Sequence, residues 1–76
     1  MNTQTTAPQY YTYHVAMYAG THPLRLRFLA LRACAEVVSA GRNTYTLRAY
    51  SAWSARELET LLYSCSAVRT YRRVTP

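Results

Sequence analysis

Lysine is missing from this 76-residue chain, and its only acids are Glu36, Glu57 and Glu59, against nine arginines. The net charge of +6 therefore rests on guanidinium groups. Arginine grips phosphate or carboxylate through two parallel bonds and stacks on rings, which lysine does poorly; GC-rich coding gives the same bias without any functional meaning. Glycine is almost as scarce, and Gly20 and Gly41 are too far apart to form a phosphate-cradling loop. The chain has two histidines and two cysteines, but no C-x-x-C or H-x-x-x-H pair, so no metal and no cofactor are expected. Three acids offer no carboxylate dyad, and nothing orients the nominal pairs of His14 with Cys34 or Cys65. The sequence does not read as an enzyme.

No apolar run approaches a membrane span, and the polar start MNTQTTAPQ has neither the basic nor the apolar stretch of a secretory signal. A cytoplasmic setting without a membrane partner is the expectation. Cys34 and Cys65 then read as reduced thiols acting as small core residues, with a disulfide as the alternative. A chain this short buries only about 60% of its unfolded surface, which leaves no room for a deep catalytic cleft. Half of its residues are apolar, enough to argue for a folded domain.

Tyrosine and arginine are what the chain has in abundance. Seven of its eight tyrosines and four of its arginines fall in three segments, Gln9 to Ala19, Asn43 to Ser51 and Ala67 to Val74, which hold no acid. Each alternates with the period of a strand, and the third also allows a continuation of the helix before it. In the first segment Tyr11, Tyr13, Val15 and Met17 form the more apolar set, and in the second Tyr45, Leu47 and Ala49 do. Residues Met1 to Pro8 read as a flexible arm, and residues 9–76 as one domain.

Between the strands, Ala19 to Pro23 predicts a turn with Thr21 as cap. A helix over residues 23–40 follows, burying Leu24, Phe28, Leu31, Ala35 and Val38 and ending at Gly41, with Arg25, Arg32 and Glu36 opposite. The alternation of Leu24 to Phe28 allows a strand there instead. Ser54-Ala-Arg-Glu57 fits a capping box, and Trp53 with Leu58 fits a hydrophobic staple, so a second helix is predicted from Ala55, burying Leu58, Leu61, Leu62 and Cys65. The expectation is an α+β domain with the order strand, helix, strand, helix, strand: one sheet of about three strands with both helices on one face.

The other face would then collect Tyr10, Thr12, His14, Tyr18, Arg48, Tyr50, Arg69, Tyr71 and Arg73. Of these, Tyr10, His14, Tyr18, Arg48, Tyr50, Arg69, Tyr71 and Arg73 are the candidate partner-binding residues. Rings beside arginines stack unpaired bases and contact phosphates, and Tyr and Arg are also the residues enriched at protein interface hot spots. The plainer reading is that Tyr and Thr favour exposed strand positions. Arg69, Arg72 and Arg73 around Tyr71 read equally as an anion-binding tail or as charges that guard an edge strand against pairing. Unpaired edges also allow a homodimer.

The short single domain, the polar start, the missing catalytic set and the Tyr/Arg surface give a chain that resembles, in type, the small phage and mobile-element proteins that inhibit host complexes, anti-CRISPR proteins among them. That resemblance implies a non-enzymatic inhibitor docking on a host protein or nucleoprotein complex in the host cytoplasm. Many such inhibitors are acidic nucleic-acid mimics, whereas this chain is basic, which favours capture of an acidic protein patch. A small nucleic-acid-binding regulator using the same residues is the alternative.

Overall fold

A computed structural model describes residues 10–74. The expected arm, Met1 to Pro8, lies outside these residues. The elements run β1 (Tyr11–Met17), α1 (Pro23–Arg32), β2 (Glu36–Ala40), β3 (Thr44–Ala49), α2 (Ala52–Ser64) and β4 (Val68–Arg73). They form a single four-stranded sheet in the order β2-β3-β1-β4 with every neighbouring pair antiparallel. β1 and β2 thus run parallel with β3 between them, and β3 and β4 run parallel with β1 between them. This is the split βαβ, ferredoxin-like arrangement. Among the described residues, the edge strands are β2 and β4.

Alternation sets the core as predicted on the first two strand segments. Tyr13, Val15 and Met17 of β1 and Tyr45, Leu47 and Ala49 of β3 are buried, packed with Leu26, Leu29 and Ala30 of α1 and Ala55, Leu58 and Leu62 of α2. Both helices therefore cover one face. Gly20, at φ 89, makes the turn after β1, where the Thr21 amide donates to the Tyr18 carbonyl at 3.2 Å; that conformation suits the third position of a type II turn.

The first helix is shorter than its sequence suggests, and β2, the strand beyond the three expected, comes from its predicted second half. α1 ends in a Schellman turn: the Ala35 amide donates to Ala30 at 2.8 Å, the Cys34 amide donates to Leu31 at 3.0 Å, and Cys34 takes the left-handed conformation at φ 57. Glycine ordinarily marks that position, so a cysteine there gives no stop signal. Past the turn, the β-branched Val37 and Val38 continue as β2. Gly41 belongs to the β2–β3 hairpin, where its amide donates to Thr44 at 2.7 Å and Asn43 sits at φ 61, a conformation Asn tolerates well. Leu24 to Phe28 is helix, capped by Nδ1 of His22 accepting from the Leu24 amide at 3.1 Å rather than by Thr21.

The buried side of α1 is also corrected. Leu26, Leu29 and Ala30 face the core, whereas Leu24, Phe28 and Leu31 are exposed. Both sets recur at helical spacing, and the arginines lie between them, so periodicity alone does not choose the inner one. Glu36 lies on β2 and not on a polar helix stripe with Arg25 and Arg32.

α2 starts three residues before its predicted start. Ser51 caps it, its Oγ accepting from the Ser54 amide at 3.0 Å. Ser54, buried, instead donates its hydroxyl to the carbonyl of Ala33 at the end of α1. Trp53 is exposed within the first turn, not at the position before the cap that a hydrophobic staple uses. Leu58 and Leu62 are buried and Leu61 and Cys65 partly so, as expected. Cys34 is an exposed free thiol rather than a core residue, and Cys65 is also free.

Candidate functional site

Residues facing each other across an antiparallel pair share a side of the sheet, so the register defines the face that the helices leave open. On β1 and β3, Thr12, His14 and Ala16 stand opposite Arg48, Thr46 and Thr44. From the edges, Glu36 and Ser39 of β2 oppose Arg48 and Thr46, and Arg72 and Thr70 of β4 oppose His14 and Ala16. Tyr10 and Tyr50 flank the start of β1 and the end of β3, and both are exposed.

The face has two parts. At one corner the Arg48 guanidinium lies over the Tyr10 ring, 4.6 Å from its centroid, and the Tyr10 and Tyr50 rings meet edge to face at 6.1 Å. Tyr50 donates its hydroxyl to Oε1 of Glu36 at 2.5 Å, which holds the phenol proton and pushes the Tyr50 pKa up. Nε of Arg48 is shielded from solvent and has no hydrogen-bond partner among the described residues. The corner is a preformed cluster of two rings and one cation, joined through Tyr50 to a carboxylate.

Further along β1 the face sinks into a hollow of about 500 Å³, bordered by His14, Ala16, Ser39, Thr44, Thr46, Thr70 and Arg72, with the hairpin residues Ala40 and Gly41 at its rim. Among the described residues, no carboxylate lines it. Hydroxyls, an imidazole and a guanidinium around one concavity offer hydrogen-bond donors suited to an anionic group such as phosphate.

Of the candidate residues, Tyr10, His14, Arg48 and Tyr50 share this face, and Tyr18 stands exposed beyond the end of β1. The three from the last strand do not share it. Tyr71 opposes Val15, is half-buried and packs on the core, although it also contributes to the wall of the hollow. Arg73 opposes Tyr13 and lies over the Tyr11 ring at 5.4 Å, beside a cleft on the helix side that Arg56 and Glu59 also line. Arg69 is the extra residue of a bulge between the Ala16 and Met17 pairings, and it lines a shallow cleft with Leu62 and Tyr63 of α2. Both alternation phases of Val68-Arg-Thr-Tyr-Arg-Arg73 carry arginine, so only the pairing register shows that Thr70 and Arg72 face outward. Arg72, which the sequence offers only as one of a cluster of three arginines, is the one of them on the open face, and it brings with it the hydroxyls of Ser39, Thr44, Thr46 and Thr70.

Tyr13 is fully buried and donates its hydroxyl to Oε2 of Glu59 at 2.5 Å. Burial first, and that hydrogen bond second, hold its pKa far above the ordinary phenol range. This is a structural tie between β1 and α2. The sheet separates His14 from Cys65, which packs on the helix side, and so dissolves that nominal nucleophile and base pair. Among the described residues, no three His, Cys, Asp or Glu side chains gather where a metal could sit, and no helix is long and apolar enough to cross a membrane. Comparisons with protein-family models, curated proteins and solved structures give no match to this chain.

Proposed function

We propose that this chain is a non-enzymatic binding protein that docks on an anionic surface of a host macromolecular complex through its open sheet face. It would act there as an inhibitor or adaptor of the phage and mobile-element kind, the anti-CRISPR type included. One observation carries the reading: a hollow on that face is ringed by His14, Arg72 and the hydroxyls of Ser39, Thr44, Thr46 and Thr70, with no carboxylate among its described lining residues. In a chain of charge +6 this geometry favours phosphates or a cluster of acidic side chains. A partner of that kind would be met in the host cytoplasm.

A second reading, a small regulator that binds single-stranded nucleic acid, has an observation of its own. Tyr10, Tyr50 and Arg48 form a ring-and-guanidinium corner beside the two central strands, and four-stranded sheets bind unpaired bases by stacking them on such rings. The experiment that separates the two is capture of partners from host lysate with and without nuclease, alongside titration of a single-stranded oligonucleotide at rising salt. A partner retained after nuclease, with little oligonucleotide binding, supports protein docking. Loss after nuclease, with oligonucleotide binding that weakens steeply in salt, supports the regulator. Arg48→Ala/Arg72→Ala should weaken whichever interaction is found, and unchanged binding by that variant would remove the open face from both readings.

A further inference from the structure

α1 carries a second surface, on the side of the molecule opposite the open sheet. Leu26, Leu29 and Ala30 of this 10-residue helix face the core. Leu24, Phe28 and Leu31, at i, i+4 and i+7, fall on the opposite side of the helical wheel. They are 47%, 60% and 71% exposed. Arg27 borders this stripe on one side and Arg25 and Arg32 on the other, and the helix sequence PLRLRFLALR holds no acid. Large apolar side chains left in water on a helix whose other side already supplies the core are not explained by folding.

We infer that this stripe is a docking site for an acidic amphipathic helix of a partner protein, with Leu24, Phe28 and Leu31 as the apolar contacts and the flanking arginines pairing with carboxylates on both borders. Charge complementarity decides the occupant. A second copy packed about a twofold axis would bring Arg25, Arg27 and Arg32 against the same cations of its twin. A lipid surface suits longer amphipathic helices with a broader apolar face. An amphipathic helix anchored at i, i+3 or i+4 and i+7, with glutamates on its borders, satisfies both the apolar stripe and the cations.

The test uses the full chain and a fluorescein-labelled helical peptide of about four turns, with leucines along one side and glutamates on both borders. A second peptide has lysine at every glutamate position. The glutamate peptide should bind at least about tenfold more tightly than the lysine peptide. Phe28→Ser/Leu31→Ser should lose roughly tenfold or more of that affinity while keeping its circular dichroism spectrum and denaturation midpoint. Arg27→Glu/Arg32→Glu should reverse the preference between the two peptides. Arg72→Ala, on the open face, should bind the glutamate peptide as the parent does, so this site and the sheet site stand or fall separately. Equal affinity for both peptides, or undiminished binding by the Phe28→Ser/Leu31→Ser variant, would overturn the inference. So would a dimer in sedimentation that this variant dissolves, or flotation with phosphatidylglycerol vesicles without any preference between the peptides.

Discussion

The hydroxyl of Ser54, in the first turn of α2, donates a 2.5 Å hydrogen bond to the carbonyl of Ala33, the residue that closes α1. One of the orphan carbonyls of α1 is thus satisfied by the next helix, in a buried place where water does not reach the donor. Ser51 performs the capping that Ser54 leaves undone. Ser54→Ala should therefore destabilise the fold by about 1 to 3 kcal/mol, the cost of an unpaired buried acceptor. Ser51→Ala should cost about 0.5 to 2 kcal/mol as an ordinary cap loss. Urea denaturation of both variants checks the assignment, and a Ser51→Ala midpoint equal to that of the parent would move the cap elsewhere.

Tyr13 gives the fold an alkaline limit. Its pKa is raised in the folded protein above the ordinary value of about 10. Above that pH the unfolded chain releases a proton that the folded chain keeps, so stability is full below about pH 10 and declines as pH rises, by at most about 1.4 kcal/mol per pH unit from this group. Tyr13→Phe should be less stable at neutral pH, because Glu59 loses its donor, yet show a flatter decline above pH 10. Denaturation midpoints measured from about pH 8 to 11 decide it; parallel declines for both proteins would place the alkaline sensitivity in another group.

Cys34 occupies a conformation made for glycine. At φ 57 its Cβ crowds the backbone, a cost of about 1 to 2 kcal/mol for an L residue. Glycine removes that strain but loses about 0.5 to 1 kcal/mol through the greater freedom of its unfolded chain. Cys34→Gly should accordingly stabilise the protein by a net amount of about 0.5 to 1 kcal/mol, read as a higher thermal midpoint. Cys34→Val, β-branched and ill suited to positive φ, should lower it.

That same residue marks where the sequence stopped being legible. The inward phase of β1 and β3 could be read directly, because Tyr13, Val15, Tyr45 and Leu47 alternate with polar neighbours and their register carries them to one side. α1 and β2 could not be separated, since the helix ends on a cysteine rather than a glycine, and both sides of α1 present leucines at helical spacing. The candidate face was half legible for a related reason. His14, Arg48, Tyr10 and Tyr50 follow from alternation, but β4 carries arginine in both phases and a bulge at Arg69, so its outward set depends on pairing with β1 over a long sequence separation. Local pattern holds no record of that pairing.

The corrected phase of β4 reverses the expected behaviour of its variants. Arg72 opposes His14 on the open face and borders the hollow, whereas Tyr71 opposes Val15 and packs against the core. Arg72→Ala should leave the denaturation midpoint within about 0.5 kcal/mol of the parent, as an exposed substitution does. Its effect should appear in binding, as a weaker interaction with the partner and a shallower dependence on salt, because one cationic contact is gone. Tyr71→Ala should instead lower stability by about 1 to 3 kcal/mol through lost packing. Measuring midpoint and affinity on the same two preparations distinguishes the phases: a destabilised Arg72→Ala beside a stable, non-binding Tyr71→Ala would mean that β4 turns its tyrosine outward after all.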